Sequence, residues 1–309
     1  MSTEFLSYFI KTQQYTLPLD CDEIFQRQAK LAVEIGFGNG EFLVSLAKQK
    51  PEYNFIGFET SITSLVKIQR KIHAESLKNI RVALVDGRFA LREFFKDNSV
   101  EEVYTNFPCP WPKKSHQDKR FTNQGFAETL SAILNFEGIF QLVTDVKWYA
   151  EHMKDILLKT ECFDLIQFNE NDKMIVGTRY EKKWLSEGRK TYILVAKKKG
   201  YLNIQRWTWE EGSMPHIHLN DVNEQKILQL SGNVFRYHKG VFVVKNVYVR
   251  ENEYLLRIVS NEEGFQQRYF ISIEKEKDGW LVKLDPDAPA YRTPVVKFSV
   301  KKISEVICL

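Results

Sequence analysis

The protein has 309 residues, of which 43% are hydrophobic and 27% are charged, and this balance is typical of a folded globular chain and excludes a disordered one. The length favours two domains over one, because a single hydrophobic core rarely serves more than about 250–300 residues. The net charge of +4 and the pI of about 8.6 are mild, so a polyanionic partner must bind a local basic patch.

The four cysteines are scattered along the chain. Cys21, Cys109, Cys162 and Cys308 show no Cys-x-x-Cys spacing, so the sequence predicts neither a zinc site nor a disulfide framework, and we expect no bound metal. The first residues lack a basic region followed by an apolar run, and no later apolar run approaches the roughly 20 residues of a membrane span. We therefore expect a cytoplasmic protein without membrane contact.

From Leu31 the sequence predicts a strand, a glycine-rich turn and a helix. The run L-A-V-E-I is short and apolar, as in a buried strand. After the turn, Phe42, Leu43, Leu46 and Ala47 recur at the spacing of one helix face. This arrangement of strand, turn and helix is typical of a ligand-binding loop.

The turn itself contains three alternating glycines, Gly36, Gly38 and Gly40. They permit positive φ angles and the close approach of a ligand. The spacing misses the dinucleotide fingerprint G-x-G-x-x-G by one residue, and Glu34 stands just before the first glycine. A carboxylate there repels a pyrophosphate but attracts a cationic amino-acid head group, which favours S-adenosylmethionine over NAD. The alternative for Glu34 is an acid that only caps the next helix.

The next two predicted strands, at residues 53–58 and 80–85, also end in acids. Glu59 follows the first of them, about twenty residues past the glycines, where an acid can bind both ribose hydroxyls, although it could also be an ordinary exposed residue. Asp86 ends the second strand. Because the carboxyl ends of parallel strands meet at one edge of a sheet, we expect Glu34, Glu59 and Asp86 to surround one ligand.

The alternation of helices and strands continues along the chain and predicts an α/β fold with a Rossmann-like sheet. Asp145 follows the last parallel strand. The predicted elements are a helix at 61–73, a helix at 89–95, a strand at 103–106, a helix at 122–134, a strand at 138–144, a helix at 148–157 and a strand at 191–196.

The most informative stretch, residues 103–120, reads V-Y-T-N-F-P-C-P-W-P-K-K-S-H-Q-D-K-R. Its closely spaced prolines forbid both helix and sheet pairing, so the strand must end near Asn106. We expect a stiff extended segment after it, and we call residues 107–120 the lip. The Asn106 amide, with Phe107 or Trp111, suits a flat heteroaromatic ring, and the basic residues that follow suit phosphates. The alternative is a proline-rich loop with solvated charges.

Several motifs, taken together and in order, resemble the tRNA (guanine-N7)-methyltransferase family. They are E-I-G-F-G-N-G, F-I-G-F-E, N-F-P-C-P-W-P-K-K-S-H, V-T-D and T-R-Y-E, all within roughly the first 200 residues. The P-W-P-K-K segment with the downstream T-x-Y-E is specific, whereas most methyltransferases share the glycine turn. The resemblance implies a Rossmann-like S-adenosylmethionine-dependent methyltransferase fold. It also implies methyl transfer to N7 of a guanine in the variable loop of tRNA.

The resemblance implies roles for individual residues as well. The acids Glu34, Glu59 and Asp86 match the family's cofactor contacts, and the three glycines and Asn106 complete the expected cofactor site. The residues that match the family's contacts to tRNA or guanine are Lys113, Asp145, Thr178, Arg179, Tyr180 and Glu181.

One position departs from the family pattern. The family has Asp, with a catalytic role, between the two prolines of N-F-P-x-P-W, where this chain has Cys109. Guanine N7 carries an in-plane lone pair and no proton, so methyl transfer requires positioning and electrostatic stabilisation but no general base. Asp145 or Glu181 could hold the base edge instead. Cys109 and Asp145 are the candidate catalytic residues. For Cys109 the sequence favours an inert small residue, and a nucleophilic thiol is the alternative.

Two other functions remain as alternatives. The Pro-Cys pair at residue 109 is also found in pyrimidine C5-methyltransferases, where the cysteine is the nucleophile, although the surrounding sequence differs. The chain could also be an RNA-binding protein with an inactive methyltransferase fold.

A domain boundary is expected near Lys199 and Gly200, which gives a methyltransferase domain at 1–199 and a β-rich accessory domain at 200–309. Alternating apolar and polar residues predict a small antiparallel sheet or barrel. The predicted strands are 241–250, 254–259, 267–274, 280–284 and 295–300, with a turn at Asp278 and Gly279. Aromatic and basic residues in this region could contact RNA, but a stabilising or dimerising role agrees equally well with the sequence.

Overall fold

The computed structural model describes residues 7–171, 190–209, 214–287 and 290–309. The chain divides into two compact units, Met1–Gln205 and Arg206–Leu309. Among the described residues, no helix has the length and apolar character needed to cross a bilayer.

The first unit contains a seven-stranded sheet with the order β3-β2-β1-β4-β5-β7-β6. The strands β1 to β5 pair in parallel, and β7 runs antiparallel to both of its neighbours. The seven strands are β1 (Lys30–Ile35), β2 (Tyr53–Glu59), β3 (Ile80–Leu84), β4 (Val100–Asn106), β5 (Leu134–Thr144), β6 (Phe163–Glu170) and β7 (Tyr192–Lys198). This topology confirms the predicted Rossmann-like α/β fold.

Side chains cap the amino-terminal ends of several helices of this unit. Ser61 accepts a hydrogen bond from the Ser64 N–H at 3.3 Å, and Asn123 accepts one from the Phe126 N–H at 2.9 Å. The helices are α1 (Cys21–Phe25), α2 (Glu41–Gln49), α3 (Ile62–Ala74), α4 (Gly87–Phe94), α5 (Gln124–Ile133) and α6 (Lys147–Lys159), with 3-10 turns at Thr12–Gln14 and Lys114–Lys119.

The pairing register brings the strand ends together. Ile35 lies opposite Phe58 on one side and Thr105 on the other, and Asn106 lies opposite Val143. The carboxyl ends of the parallel strands therefore share one edge, as the sequence predicts, and the turns that follow them project from it.

The second unit contains a six-stranded antiparallel sheet with the order β8-β13-β12-β11-β10-β9. Helices α7 and α8 cover one face, where their apolar side chains join those of the strands in a single core. The elements are β8 (Ile217–Leu219), α7 (Glu224–Leu228), β9 (Val234–Tyr237), β10 (Gly240–Arg250), β11 (Glu253–Glu262), β12 (Phe265–Glu276), β13 (Gly279–Leu284) and α8 (Pro294–Ile307).

One predicted strand of the second unit was wrong, and the strands β6, β8 and β9 were missed. The strand expected at 295–300 is the first half of α8, because Pro294 occupies the first helical turn. The buried side chains of Val296, Val300, Ile303 and Ile307 then follow at helical spacing over a longer window than the six residues considered. The strand β6 was missed, since its exposed Ile166 interrupts the expected apolar pattern.

At the amino-terminal edge of the first sheet, opposite the strand-end turns, a partly buried ion pair joins Lys50, the residue after α2, to Glu102 on β4. The Lys50 ammonium donates to both carboxylate oxygens of Glu102 at 2.6 and 2.7 Å. The hydroxyl of the buried Tyr104 donates to the same carboxylate at 2.6 Å. Desolvation by burial, and then the charge of Glu102, raise the pKa of Tyr104 well above its ordinary value.

We predict that Glu102→Ala lowers the free energy of unfolding by about 2–4 kcal/mol, because it leaves the Lys50 charge and the Tyr104 hydroxyl without their acceptor. Lys48→Ala is the matched control. It removes the exposed Lys48–Glu75 pair and should lower the stability by less than about 1 kcal/mol. Urea unfolding of the full chain measures both effects, and equal losses for the two variants would contradict the prediction.

Candidate active site

The glycine turn after β1 leaves its backbone open on one side. Gly36, Gly38 and Gly40 have φ angles of +73°, +53° and +74°, which side chains other than that of glycine rarely permit. A Cβ atom placed on Gly36 or Gly38 would meet no atom within 4 Å. The turn therefore offers room for a ligand to approach the main chain closely.

The carboxylate of Glu59, at the end of β2, holds this turn in place. One oxygen accepts a hydrogen bond from the Gly38 N–H at 3.1 Å. The other accepts from the N–H groups of Thr60 and Ser61 at 2.7 and 3.1 Å. Glu59 thus links the end of β2 to the turn that follows β1, and it is partly exposed at this edge.

Glu34 and Asn106 form a second polar pair at the ends of β1 and β4. The Glu34 side chain is only 2% exposed, and its Oε1 accepts a hydrogen bond from Asn106 Nδ2 at 3.0 Å. Desolvation by burial raises the pKa of Glu34 to about 8, with a smaller contribution from the charge of Glu59 and with the Asn106 hydrogen bond opposing the shift. The carboxyl group is therefore poised to change its charge near neutral pH.

Two acceptors of this pair have no donor. Glu34 Oε2 and Asn106 Oδ1 are both buried and lack a hydrogen-bond partner in the described part of the chain. Buried acceptors are normally satisfied, so an orphaned pair indicates a ligand that donates. The ammonium group of S-adenosylmethionine has the donors and the charge that fit these two atoms.

Asp86 lies at the same edge, but its carboxylate already has a partner. It caps α4 by accepting the Arg88 N–H at 2.9 Å, and the Arg88 guanidinium donates to it at 2.8 and 3.2 Å. Oδ1 accepts two of these bonds, whereas Oδ2 accepts one and keeps a further lone pair for a ligand. Arg88 was not among the predicted site residues, although its spacing two residues after a capping Asp is a local signal for this contact.

The lip is not the uniformly extended segment that the sequence predicts. Phe107 and Trp111 have φ angles of +50° and +46°, so the chain turns at both residues, and Lys114–Lys119 forms a 3-10 helix. The prolines restrict their own φ angles but leave these neighbours free to turn. A left-handed residue other than glycine costs of the order of 1–3 kcal/mol and often marks a functional segment.

Arg120 supports the lip from within. Its guanidinium donates to the Trp111 carbonyl at 2.9 and 2.8 Å and to the Pro112 carbonyl at 3.2 Å. It also lies 5.0 Å from the ring centroid of Trp148 on α6, at cation–π distance. Arg120 therefore has a structural role, whereas the sequence predicts only that it binds phosphate.

The two candidate catalytic residues lie on the lip and at the end of β5. Cys109 is exposed. Asp145 is partly buried and follows β5 directly, two residues beyond Val143, which pairs with Asn106. Beneath the lip, burial raises the pKa of the Tyr149 hydroxyl, which accepts the Phe121 N–H at 3.2 Å.

Other predicted binding residues differ in their placement. Lys113 is exposed on the lip. Thr178, Arg179, Tyr180 and Glu181 lie outside the described residues. No group of three or more His, Cys, Asp or Glu side chains in the described part of the chain could hold a metal ion.

Comparison with known proteins adds an independent observation. A family model described as "Putative methyltransferase" matches residues 28–194. A tRNA (guanine-N(7)-)-methyltransferase of Thermotoga maritima is 47% identical over 301 residues, which are 96% of this chain and 96% of that protein. Its counterpart in Coprothermobacter proteolyticus is 34% identical and covers 94% of this chain and 91% of its own length.

A shorter relative shares only part of the chain. The tRNA (guanine-N(7)-)-methyltransferase of Limosilactobacillus reuteri is 35% identical over 178 residues, which are 56% of this chain and 83% of that protein. The longer relatives match along nearly the whole sequence, and the family model covers more than half of it. The chain belongs to the S-adenosylmethionine-dependent tRNA (guanine-N7)-methyltransferase family.

Proposed function

We propose that this protein transfers a methyl group from S-adenosylmethionine to N7 of a guanine in the variable loop of tRNA, at the carboxyl edge of the first sheet. The observation that supports this site best is the pair of buried acceptors on Glu34 and Asn106 that have no donor among the described residues. They mark a place for a cationic ligand, and they lie at the sheet edge from which the lip begins. A tRNA substrate places the reaction in the cytoplasm.

The cofactor site is formed by strand ends and the glycine turn. Glu34 and Asn106 would hold the ammonium group of the cofactor. Glu59 would accept a ribose hydroxyl on Oε2, which receives only the Gly38 N–H and keeps a lone pair. Asp86 supplies a further contact, with its charge moderated by Arg88. When bound, S-adenosylmethionine supplies an electrophilic methyl group attached to a sulfonium.

The protein's contribution to the transfer is positioning and charge. Guanine N7 loses no proton when it is methylated, so the site needs no general base and no covalent nucleophile. The product purine carries positive charge, which the carboxylate of Asp145 would stabilise. Cys109 replaces the family Asp without blocking this chemistry, and Phe107 or Trp111 would lie against the guanine ring.

The basic residues of the lip would bind the tRNA backbone. Lys113 and Lys114 are exposed, and the Lys119 ammonium lies 4.5 Å from the ring centroid of Trp111. These lysines would therefore bind phosphates next to the Trp111 ring. Thr178 to Glu181 remain proposed substrate contacts from the family pattern.

The direct test is methylation of unmodified tRNA with labelled cofactor, followed by aniline cleavage at N7-methylguanosine. We expect a single cleavage in the variable loop. Cys109→Ala should retain kcat within about threefold, whereas Asp145→Asn should lower it about tenfold or more, because it removes the charge that stabilises the product.

Loss of turnover in Cys109→Ala, with cofactor and tRNA binding intact, would support a cysteine nucleophile instead. A covalent complex trapped on fluoropyrimidine RNA would then identify the C5 reaction. Cofactor binding without any methylation of RNA would support the inactive RNA-binding alternative.

Glu34 also predicts a pH dependence of the stability of the cofactor-free protein. Its pKa is raised from 4.5 to about 8 in the folded state, so folding favours the protonated carboxyl group. The protonated Glu34 side chain makes its full contribution to the free energy of unfolding below about pH 4.5. This contribution is lost as the pH rises towards 8.

The free energy of unfolding of Glu34→Gln should therefore increase relative to that of the parent protein as the pH rises from 4.5 to 8, by at most about 5 kcal/mol. Glu75→Gln, on an exposed carboxylate, is the control and should show little such trend. Urea unfolding at a series of pH values measures the difference. A difference that does not vary with pH would mean that Glu34 does not titrate in this range.

A further inference from the structure

One face of the second unit's sheet carries exposed side chains of β10, β11 and β12, and we call this part of the sheet the open face. Helices α7 and α8 pack on the other face, where Phe242, Val244 and Ile258 are fully buried. On the open face, side chains of β10, β11 and β12 line a groove of about 570 Å³. The residues that matter to its chemistry are Val243, Lys245, Asn246, Arg257, Val259 and Arg268.

All the charged residues that line the groove are cations. Lys245, Arg257 and Arg268 are exposed, and no residue that lines the groove is acidic. In the part of the chain that the structure describes, none of the three charged groups has a side-chain hydrogen bond or an ion pair. Other lysines of the same unit are paired, for example Lys239 with Glu263 at 2.8 Å and Lys283 with Glu274 at 2.7 Å. The three cations that line the groove thus have no internal partner among the described residues.

The pairing register places these charges on three adjacent strands. Arg268 on β12 lies opposite Val259 on β11, and Arg257 lies opposite Asn246 on β10. A register shift between Val244 and Asn246 leaves Lys245 and Asn246 both exposed, as a β-bulge does. Neighbouring strands lie about 4.8 Å apart, so the three cations form a compact row across the sheet.

This chemistry fits a polyanion with repeated charges. The amide groups of Asn246, Asn261 and Gln266 provide neutral donors beside the cations, and the valines provide shallow apolar contact for sugars. The groove has no aromatic lining residue, so it suits a phosphodiester backbone better than stacked bases. A symmetric dimer through this groove is disfavoured, because it would place two cationic grooves without acidic lining residues against each other.

We propose that the open face of the second sheet, centred on Lys245, Arg257 and Arg268, binds the phosphate backbone of the tRNA substrate. This inference rests on the proposed function and adds a second RNA-binding surface to it, distinct from the lip. Because it contacts phosphates, the face contributes affinity and salt dependence but no base specificity.

The test is the triple variant K245Q/R257Q/R268Q of the full chain. Removing one phosphate-binding cation lowers the slope of log affinity against log salt by about 0.7–0.9, so the triple variant should lower it by about 2–3. The tRNA dissociation constant should rise about tenfold or more near 0.15 M salt. The affinity for S-adenosylmethionine and kcat at saturating tRNA should stay at the parental values.

Two control variants separate the site from general charge. K226Q/K277Q/K301Q removes the same charge from exposed residues on α7, on the β12–β13 turn and on α8, and it should keep the parental slope. R257K/R268K retains the charges and should also keep most of the slope. If K226Q/K277Q/K301Q lowers the salt slope as much as K245Q/R257Q/R268Q does, the assignment to this face is overturned.

The outcomes distinguish this inference from the proposed function. If the parent methylates guanine N7 and the triple variant keeps the parental affinity and slope, the inference fails and the proposed function stands. If the parent does not methylate tRNA, the proposed function fails, and the direct binding curves still decide whether the face binds RNA. A variant that keeps its tRNA affinity but changes its sedimentation would instead assign the face to self-association.

Discussion

The geometry of the active site depends on one carboxylate that joins two strand ends. Glu59 accepts the Gly38 N–H at 3.1 Å, so the glycine turn after β1 is fixed to the end of β2. The parallel register then brings Asn106 of β4 next to Glu34 of β1. The site therefore offers a ligand two features, the open backbone of the glycine turn and the two buried acceptors of Glu34 and Asn106. A small molecule with a cationic head group and a ribose matches both features.

The reaction proposed at this edge requires no proton transfer, but it requires precise alignment of the two reactants. Methylation at N7 uses a lone pair that already lies in the plane of the base, so the site has to align two reactants and stabilise a cationic product. The lip suits the first task because Arg120 binds its carbonyl groups and packs on Trp148. The exchange of the family Asp for Cys109 is compatible with this division of labour, since Asp145 keeps a carboxylate at the adjacent strand end.

The sequence predicted the parts of this structure that depend on local rules. Alternating glycines, strand-end acids and a run of prolines each have a direct physical meaning, and the sheet edge followed from them. The contacts of Arg120 could not be predicted, because nothing local shows which carbonyl group a long cationic side chain will reach. Helix α8 was misread because its first six residues fit both periods. The orphaned acceptors of Glu34 and Asn106 depend on burial by distant segments, which a single sequence does not reveal.

The central claim is that the strand-end carboxylates bind the cofactor, and calorimetric titration of Glu59→Ala with S-adenosylmethionine tests it most directly. The substitution removes charge-assisted hydrogen bonds worth about 1.5–3 kcal/mol each and releases the Gly38 turn. The account predicts that the cofactor affinity falls at least about tenfold while the protein remains folded. A dissociation constant equal to that of the parent protein would remove Glu59 from the cofactor site and contradict the account.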